Sequence, residues 1–217
     1  MVVTLAHVCN LLIVVTAAII GTPSALAMTY TALENSDGFT AFDATGETTL
    51  TEADEFKSAE QEAHARQVRL ARQDRHIPPS DTVPYANTLF IRSPGGNVFG
   101  STLLAKAARE SDITVVVPAN EICASACFNV FMAAKHHGWE PGARIGVHST
   151  SNGDDHDETL TSMGLTGGVA RILSEWGATP AIIGKTVITP PGEITWLTEN
   201  DLRGLGENAA SRSGRRE

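Results

Sequence analysis

Ser93-Pro94-Gly95-Gly96-Asn97-Val98 and, further along, Cys123-Ala124-Ser125-Ala126-Cys127 decide how this chain is read. The apolar run Thr88-Leu89-Phe90-Ile91 leads into the first segment, and Ile113-Thr114-Val115-Val116-Val117 leads into the second. Each reads as a strand, a tight turn and then a helix. A serine on such a turn, with a glycine-rich turn delivered beside it by a neighbouring strand, supplies what acyl transfer requires: a nucleophile and backbone N–H groups around one carbonyl. A third stretch, Ala143-Arg144-Ile145-Gly146-Val147-His148-Ser149, ends another strand in a histidine, the usual general base for a serine.

Outward from these segments, strands alternate with helices. Ser101 to Arg109 has apolar residues along one side, and Ala126 to Ala134 is apolar nearly all round, as expected of a helix buried in the core. This alternation predicts an α/β fold with mostly parallel pairing, whose ligands gather at the carboxyl ends of the strands. Gly95-Gly96, Ser125 and His148 all fall there. Upstream, Phe39 to Gly46 reads as a strand and turn, and Thr51 opens a helix from Glu52 with Asp54 at the capping-box position. The proline-rich stretch His76-Ile77-Pro78-Pro79-Ser80 breaks the chain before the core strands. Downstream, Thr150 to Glu158 is a polar, acidic loop without the spacing of a calcium-binding loop. Leu160 to Trp176 has helical spacing interrupted at Gly167-Gly168, and Thr179 to Lys185 reads as a short helix. Ile194 to Leu197 reads as a strand, and Thr198 with Asp201 caps a last helix.

The 217 residues suit one domain with a sizeable core, and 42% hydrophobic with 19% charged residues is ordinary for a folded protein. A net charge of −9 argues against nucleic acid or an anionic membrane surface as partner. Residues 1–27 carry no Lys, Arg, Asp or Glu, and the apolar run Leu11 to Ile20 is followed by Gly21, Pro23 and Ala25-Leu26-Ala27. This reads as a secretory signal cleaved before Met28, with a retained N-terminal anchor as the alternative. Residues 28–38 then form an N-terminal segment, 39–206 the folded domain, and 207–217 a frayed tail.

Cleavage leaves Cys123 and Cys127 in an oxidising compartment. On one helical turn their Cα atoms would lie about 5–6 Å apart, so a disulfide and a pair of buried free thiols both fit. A zinc site joining them to His136 and His137 lacks a second cysteine pair, so neither metal nor cofactor is expected.

These segments resemble the proteolytic subunits of Clp proteases, within the Clp/crotonase-like ββα spiral fold, and in particular an exported, periplasmic branch of that family. The resemblance extends from about Phe39 to Gly206 and is specific between Thr88 and Ser149. It implies a serine peptidase in which Ser125 is the nucleophile, His148 the base, and the N–H groups of Gly96 and Ala126 the oxyanion hole. It also implies a peptide or acyl substrate and a possible homo-oligomer. An ATPase partner is not expected in an exported compartment. The position of the family's third triad member, an aspartate, matches Ile194 here. Glu193 is one residue away, on the opposite face of a strand. Losing that aspartate's role costs about 10⁴-fold in a related chemistry. Two rival readings therefore stand beside the hydrolase: a non-catalytic envelope protein on the same fold, and a crotonase-type acyl-CoA enzyme that uses the glycine turn alone.

Overall fold

The computed structural model describes residues 26–34, 40–73, 87–152 and 159–205. The leader up to residue 25, the proline-rich break, most of the acidic loop and the basic tail lie outside the described residues. The strand read at Phe39 to Gly46 forms as β2 (Thr40–Thr45), followed by helix α1 (Glu52–Gln73). The core then runs β3 (Thr88–Arg92), α2 (Val98–Glu110), β4 (Thr114–Val117), β5 (Ile122–Ala124), α3 (Ala126–Ala133), β6 (His136–Trp139) and β7 (Arg144–Val147). After the acidic loop come α4 (Leu160–Glu175), α5 (Pro180–Ile188), β8 (Thr195–Trp196) and α6 (Glu199–Arg203). A strand not expected from the sequence, β1 (Thr29–Glu34), pairs antiparallel with β2 and starts the sheet.

Two sheets form. The larger has the order β1-β2-β3-β4-β6, parallel everywhere except at the β1–β2 pair. The smaller is β5-β7-β8, with β5 and β7 parallel and β8 antiparallel. The fold is α/β with a mostly parallel sheet, as the alternation of elements predicts. One link differs: β4 does not run into Ser125. The chain turns at Pro118 to Glu121 and starts β5, which enters the second sheet and delivers the serine. Three residues are too short a run for hydrophobic periodicity to register.

Every residue of α3 is buried, with Phe128 and Phe131 at or below 1% exposure. It packs between α2 and β5 over a core that includes Leu89, Ile91, Leu104, Val115 and Ile145. Such side chains each contribute roughly 1.5–3 kcal/mol by burial, so the helix bearing the candidate serine is among the most firmly held elements. The α1 start also differs from the reading. Thr49 donates its N–H to the Glu52 carboxylate, while the Thr51 hydroxyl donates to Glu55 (2.7 Å), so the carboxylate that reaches back to the backbone before α1 is Glu52 and not Asp54. At the other end of the domain, the expected capping box of Thr198 and Asp201 forms. The exposed pair Gly167-Gly168 does not break α4, which runs through it.

Candidate active site

The two turn segments meet because β3 and β5 bridge. Ser93 donates its N–H to the Ile122 carbonyl (2.9 Å) and accepts from the Ala124 N–H (3.0 Å), which joins the two sheets at this point. One chain then turns through Pro94-Gly95-Gly96 into α2, capped by the Asn97 side chain. The other turns at Ser125 into α3.

Ser125 has φ 56° and ψ −127°. A residue with a Cβ in such a sparsely populated conformation costs on the order of 1–3 kcal/mol and persists only where its surroundings over-determine it. Here the Ser125 N–H donates to the Gly146 carbonyl of β7 (3.0 Å), and its own carbonyl accepts from the Phe128 N–H (2.9 Å). The serine occupies the N-cap position of α3 but its side chain makes no capping hydrogen bond, so ordinary helix capping does not account for it.

Gly95 and Gly96 have φ +120° and +125°, a region that favours glycine. A Cβ on Gly95 would lie 2.6 Å from Ser125 Cβ and 3.0 Å from its Oγ, so the turn abuts the serine directly. Thr48 holds the other side of this turn: it donates its N–H to Gly95 O (2.7 Å) and accepts from the Asn97 N–H (2.7 Å). In that parallel bridge the bonds run through the residues flanking Gly96, so the N–H of Gly96 itself faces away from Thr48. The Ala126 N–H sits at the first position of α3, where no intrahelical acceptor exists and the helix dipole is positive.

His148 directly follows β7. Its Nδ1 lies 2.6 Å from the carbonyl oxygen of Ser149. A carbonyl can only accept, so Nδ1 is the donor in this contact, and in the neutral ring Nε2 then bears the lone pair that a general base needs. The Ser149 peptide is fixed in turn, because its N–H donates to Thr189 O (2.9 Å) and the Thr189 hydroxyl lies 2.7 Å from that of Thr195 on β8.

Gly96, Ser125, Ala126, His148 and Glu193 all line one cavity of about 1240 Å³. Val98, Phe99, Leu165 and Val169 give it an apolar wall, and no Lys or Arg is among its described lining residues. The Ser125 hydroxyl makes no hydrogen bond to any described residue, so serine and histidine share the cavity without yet being bonded. Glu193 is exposed on the cavity wall, in a turn closed by its N–H on Pro190 O (3.0 Å). Ile194 packs over Gly146, where a Cβ would lie 2.5 Å from the isoleucine methyl. Sequence reasoning missed Thr48 and the Ser149 carbonyl. Both act through backbone atoms that any residue carries, and so left no residue-type signal.

Cys123 and Cys127 are joined as a disulfide with Cα atoms 5.3 Å apart, but Cys123 lies in β5 and not on a helical turn with Cys127. Neither sulfur is then available as a thiolate ligand, and no group of three or more His, Cys, Asp or Glu among the described residues could hold a metal ion.

No family model matches the chain, and no curated protein matches its sequence. Solved structures do resemble it. A mutant of the 1510-N membrane-bound stomatin-specific protease is 18% identical with a TM-score of 0.47, over 76% of this chain and 74% of that one. A second mutant of that protease, in complex with a substrate peptide, is 19% identical with a TM-score of 0.49, over 77% and 72%. ClpP1 from Listeria monocytogenes is 21% identical with a TM-score of 0.46, over 74% and 83%. The chain is thus similar in structure to Clp-type and stomatin-specific proteases. Identities at this level say nothing about which residues react.

Proposed function

We propose that this chain is an exported serine hydrolase, a peptidase with Ser125 as nucleophile and His148 as general base. One observation carries the reading: Ser125 is held at a strained, positive-φ elbow between β5 and α3, against the Gly95 turn and in the same cavity as His148. Fold stability gives no reason to place a serine there, since glycine adopts that conformation at lower cost.

In the proposed reaction Ser125 Oγ attacks a substrate carbonyl while His148 Nε2 takes its proton. The N–H groups of Gly96 and Ala126 receive the developing oxyanion. Collapse expels the amine or alcohol, protonated by His148, and water releases the acyl group by the same steps in reverse. Removing one such oxyanion donor typically costs about 10²–10³ in rate. The Ser149 carbonyl favours the tautomer in which Nε2 is the base, and a carbonyl itself carries no formal negative charge to stabilise the imidazolium. A peptide substrate follows from the resemblance to Clp subunits. Export follows from the uncharged leader, and a buried disulfide fits an oxidising compartment.

A fluorophosphonate probe should label Ser125 alone in the folded protein processed before Met28. Labelling should vanish in Ser125→Ala and fall strongly in His148→Ala. Glu193→Gln should leave it unchanged if the Ser149 carbonyl is the orienting group; a large loss would assign that role to Glu193. Mass spectrometry of the envelope fraction should find a chain that starts near Met28, and an intact leader on a soluble cytoplasmic form would refute export. Ile194 at the position of the family's aspartate favours a second reading, a non-catalytic envelope protein. That reading wins if the folded wild type takes no label and cleaves neither peptide nor ester.

A further inference from the structure

We infer that the Cys123–Cys127 disulfide is a positioning device for Ser125, so that the reactivity of this serine depends on the oxidation state of the pair. The inference rests on the hydrolase reading above. The bond spans the elbow symmetrically: Cys123 lies in β5, two residues before Ser125, and Cys127 lies in α3, two residues after it. The ring it closes encloses only Ala124, Ser125 and Ala126, which carry the proposed nucleophile and one of the two proposed oxyanion donors. Both cysteines are fully buried, at 0% exposure.

Their anchorage explains why the bond acts on the serine and not on the fold at large. Cys123 sits in the ladder with Ile145 of β7 and in the bridge to Ser93, so its backbone is held from both sides. Cys127 belongs to a helix whose every residue is buried. Each end is therefore anchored in its own element, and the bond ties β5 to α3 across the segment between them. That segment contains the residue at φ 56°, a conformation that neighbours must enforce. Its hydrogen bonds to Gly146 O and from Phe128 N fix the Ser125 peptide groups, and the disulfide adds a covalent limit on how far β5 and α3 can separate around it. Without that limit the elbow is free to open, which moves Ser125 Oγ and the Ala126 N–H away from a common carbonyl.

Reduction consumes an external dithiol. A thiolate of the reductant attacks one sulfur to form a mixed disulfide, and its second thiol displaces the protein thiol, leaving Cys123 and Cys127 as thiols and the reductant as a disulfide. Burial of both sulfurs makes that attack slow in the folded state.

The test compares oxidised wild type, wild type reduced with a dithiol under mild denaturant and then refolded in its presence, and the Cys123→Ala/Cys127→Ala variant. Fluorophosphonate labelling and turnover of a p-nitrophenyl ester are measured, with circular dichroism as the check on folding. Misplacing the elbow should lower the labelling rate and kcat about 10- to 100-fold. KM should stay within about twofold, because the cavity walls that bind substrate are untouched. Oxidised glutathione should restore reduced wild type and leave the double variant unchanged. A reduced or double-variant protein that is folded and labels at the oxidised wild-type rate overturns the inference. If oxidised wild type itself takes no label, the hydrolase reading has failed, and amide exchange over residues 124–127 decides the positioning role alone. Faster exchange in the double variant supports it, and unchanged exchange overturns it.

Discussion

Replacing Ser125 with glycine should make this protein more stable while removing its proposed nucleophile. At φ 56° and ψ −127° a residue bearing a Cβ holds a conformation that costs about 1–3 kcal/mol, whereas glycine adopts it without that cost. Glycine loses more chain entropy on folding, about 0.5–1 kcal/mol relative to alanine. The fair comparison is Ser125→Ala, which keeps the Cβ against Gly95 and deletes only a hydroxyl that bonds to no described residue. The difference leaves Ser125→Gly more stable than Ser125→Ala by up to about 2.5 kcal/mol. For a chain of this length each kcal/mol moves the melting temperature by roughly 2–4 °C, so scanning calorimetry under non-reducing conditions should separate the two by up to about 10 °C. Both variants should be inert to a fluorophosphonate. If the glycine variant melts at or below the alanine variant, the elbow stores no strain, and the inference that Ser125 is held there for its chemistry is refuted.

Gly95→Ala should cut labelling of Ser125 by at least about 10²-fold, since its Cβ would sit 2.6 Å from Ser125 Cβ on a backbone at φ +120°. Wild-type labelling by the folded variant would show that this turn does not govern the serine. Asp201→Asn should destabilise the fold by about 1 kcal/mol at neutral pH through a weaker, uncharged cap to Thr198 and loss of its ion pair with Lys185. Burial opposes ionisation of Asp201, but Lys185 and Thr198 hold its carboxyl below the ordinary range. Its stabilisation is therefore present above the unfolded pKa and lost as pH falls through the depressed folded value, so thermal scans of wild type and variant should converge in strong acid. Glu52 should show the opposite sign. Burial raises its pKa, so the stability it contributes is full below the unfolded value and lost as pH rises through the folded one. Glu52→Gln, whose amide oxygen can still accept the Thr49 N–H, should therefore be the more stable form in scans near neutral pH and gain nothing in acid. A variant no more stable than wild type at neutral pH would refute that assignment.

Much of the fold was legible because its main elements are long or strongly patterned. The apolar runs into Ser93 and out to Val117, the all-apolar α3, and the capping pair of Thr198 and Asp201 each carry a signal in residue type. What was not legible is short or edge-bound. β5 has three residues and β6 reads His-His-Gly-Trp, so neither shows a period, and the sequence placed Ser125 after the wrong strand for that reason. β1 is mostly polar and exposed, held by pairing with β2 and by contacts of Tyr30 with Phe56, which become visible only once α1 has packed beneath it. At the capping turn of α1, Glu52 was favoured over Asp54 because the chain reaches α1 from Thr48, and that approach is set by the Gly96 turn far along the sequence.

The same distinction explains why the candidate site was half visible. A nucleophile and a base need particular side chains, and Ser125 and His148 could be picked out by type and order. Orientation needs only something rigid, and here backbone supplies it: the Thr48 peptide holds the glycine turn, the Gly146 carbonyl holds the serine N–H, and the Ser149 carbonyl lies against His148 Nδ1. Ile194 at the family's aspartate position is compatible with a histidine that donates from Nδ1, and a carboxylate there would add negative charge beside the imidazolium. Charge of that kind affects rate. Geometry decides whether the serine can react at all, and it depends on the elbow at Ser125 remaining closed.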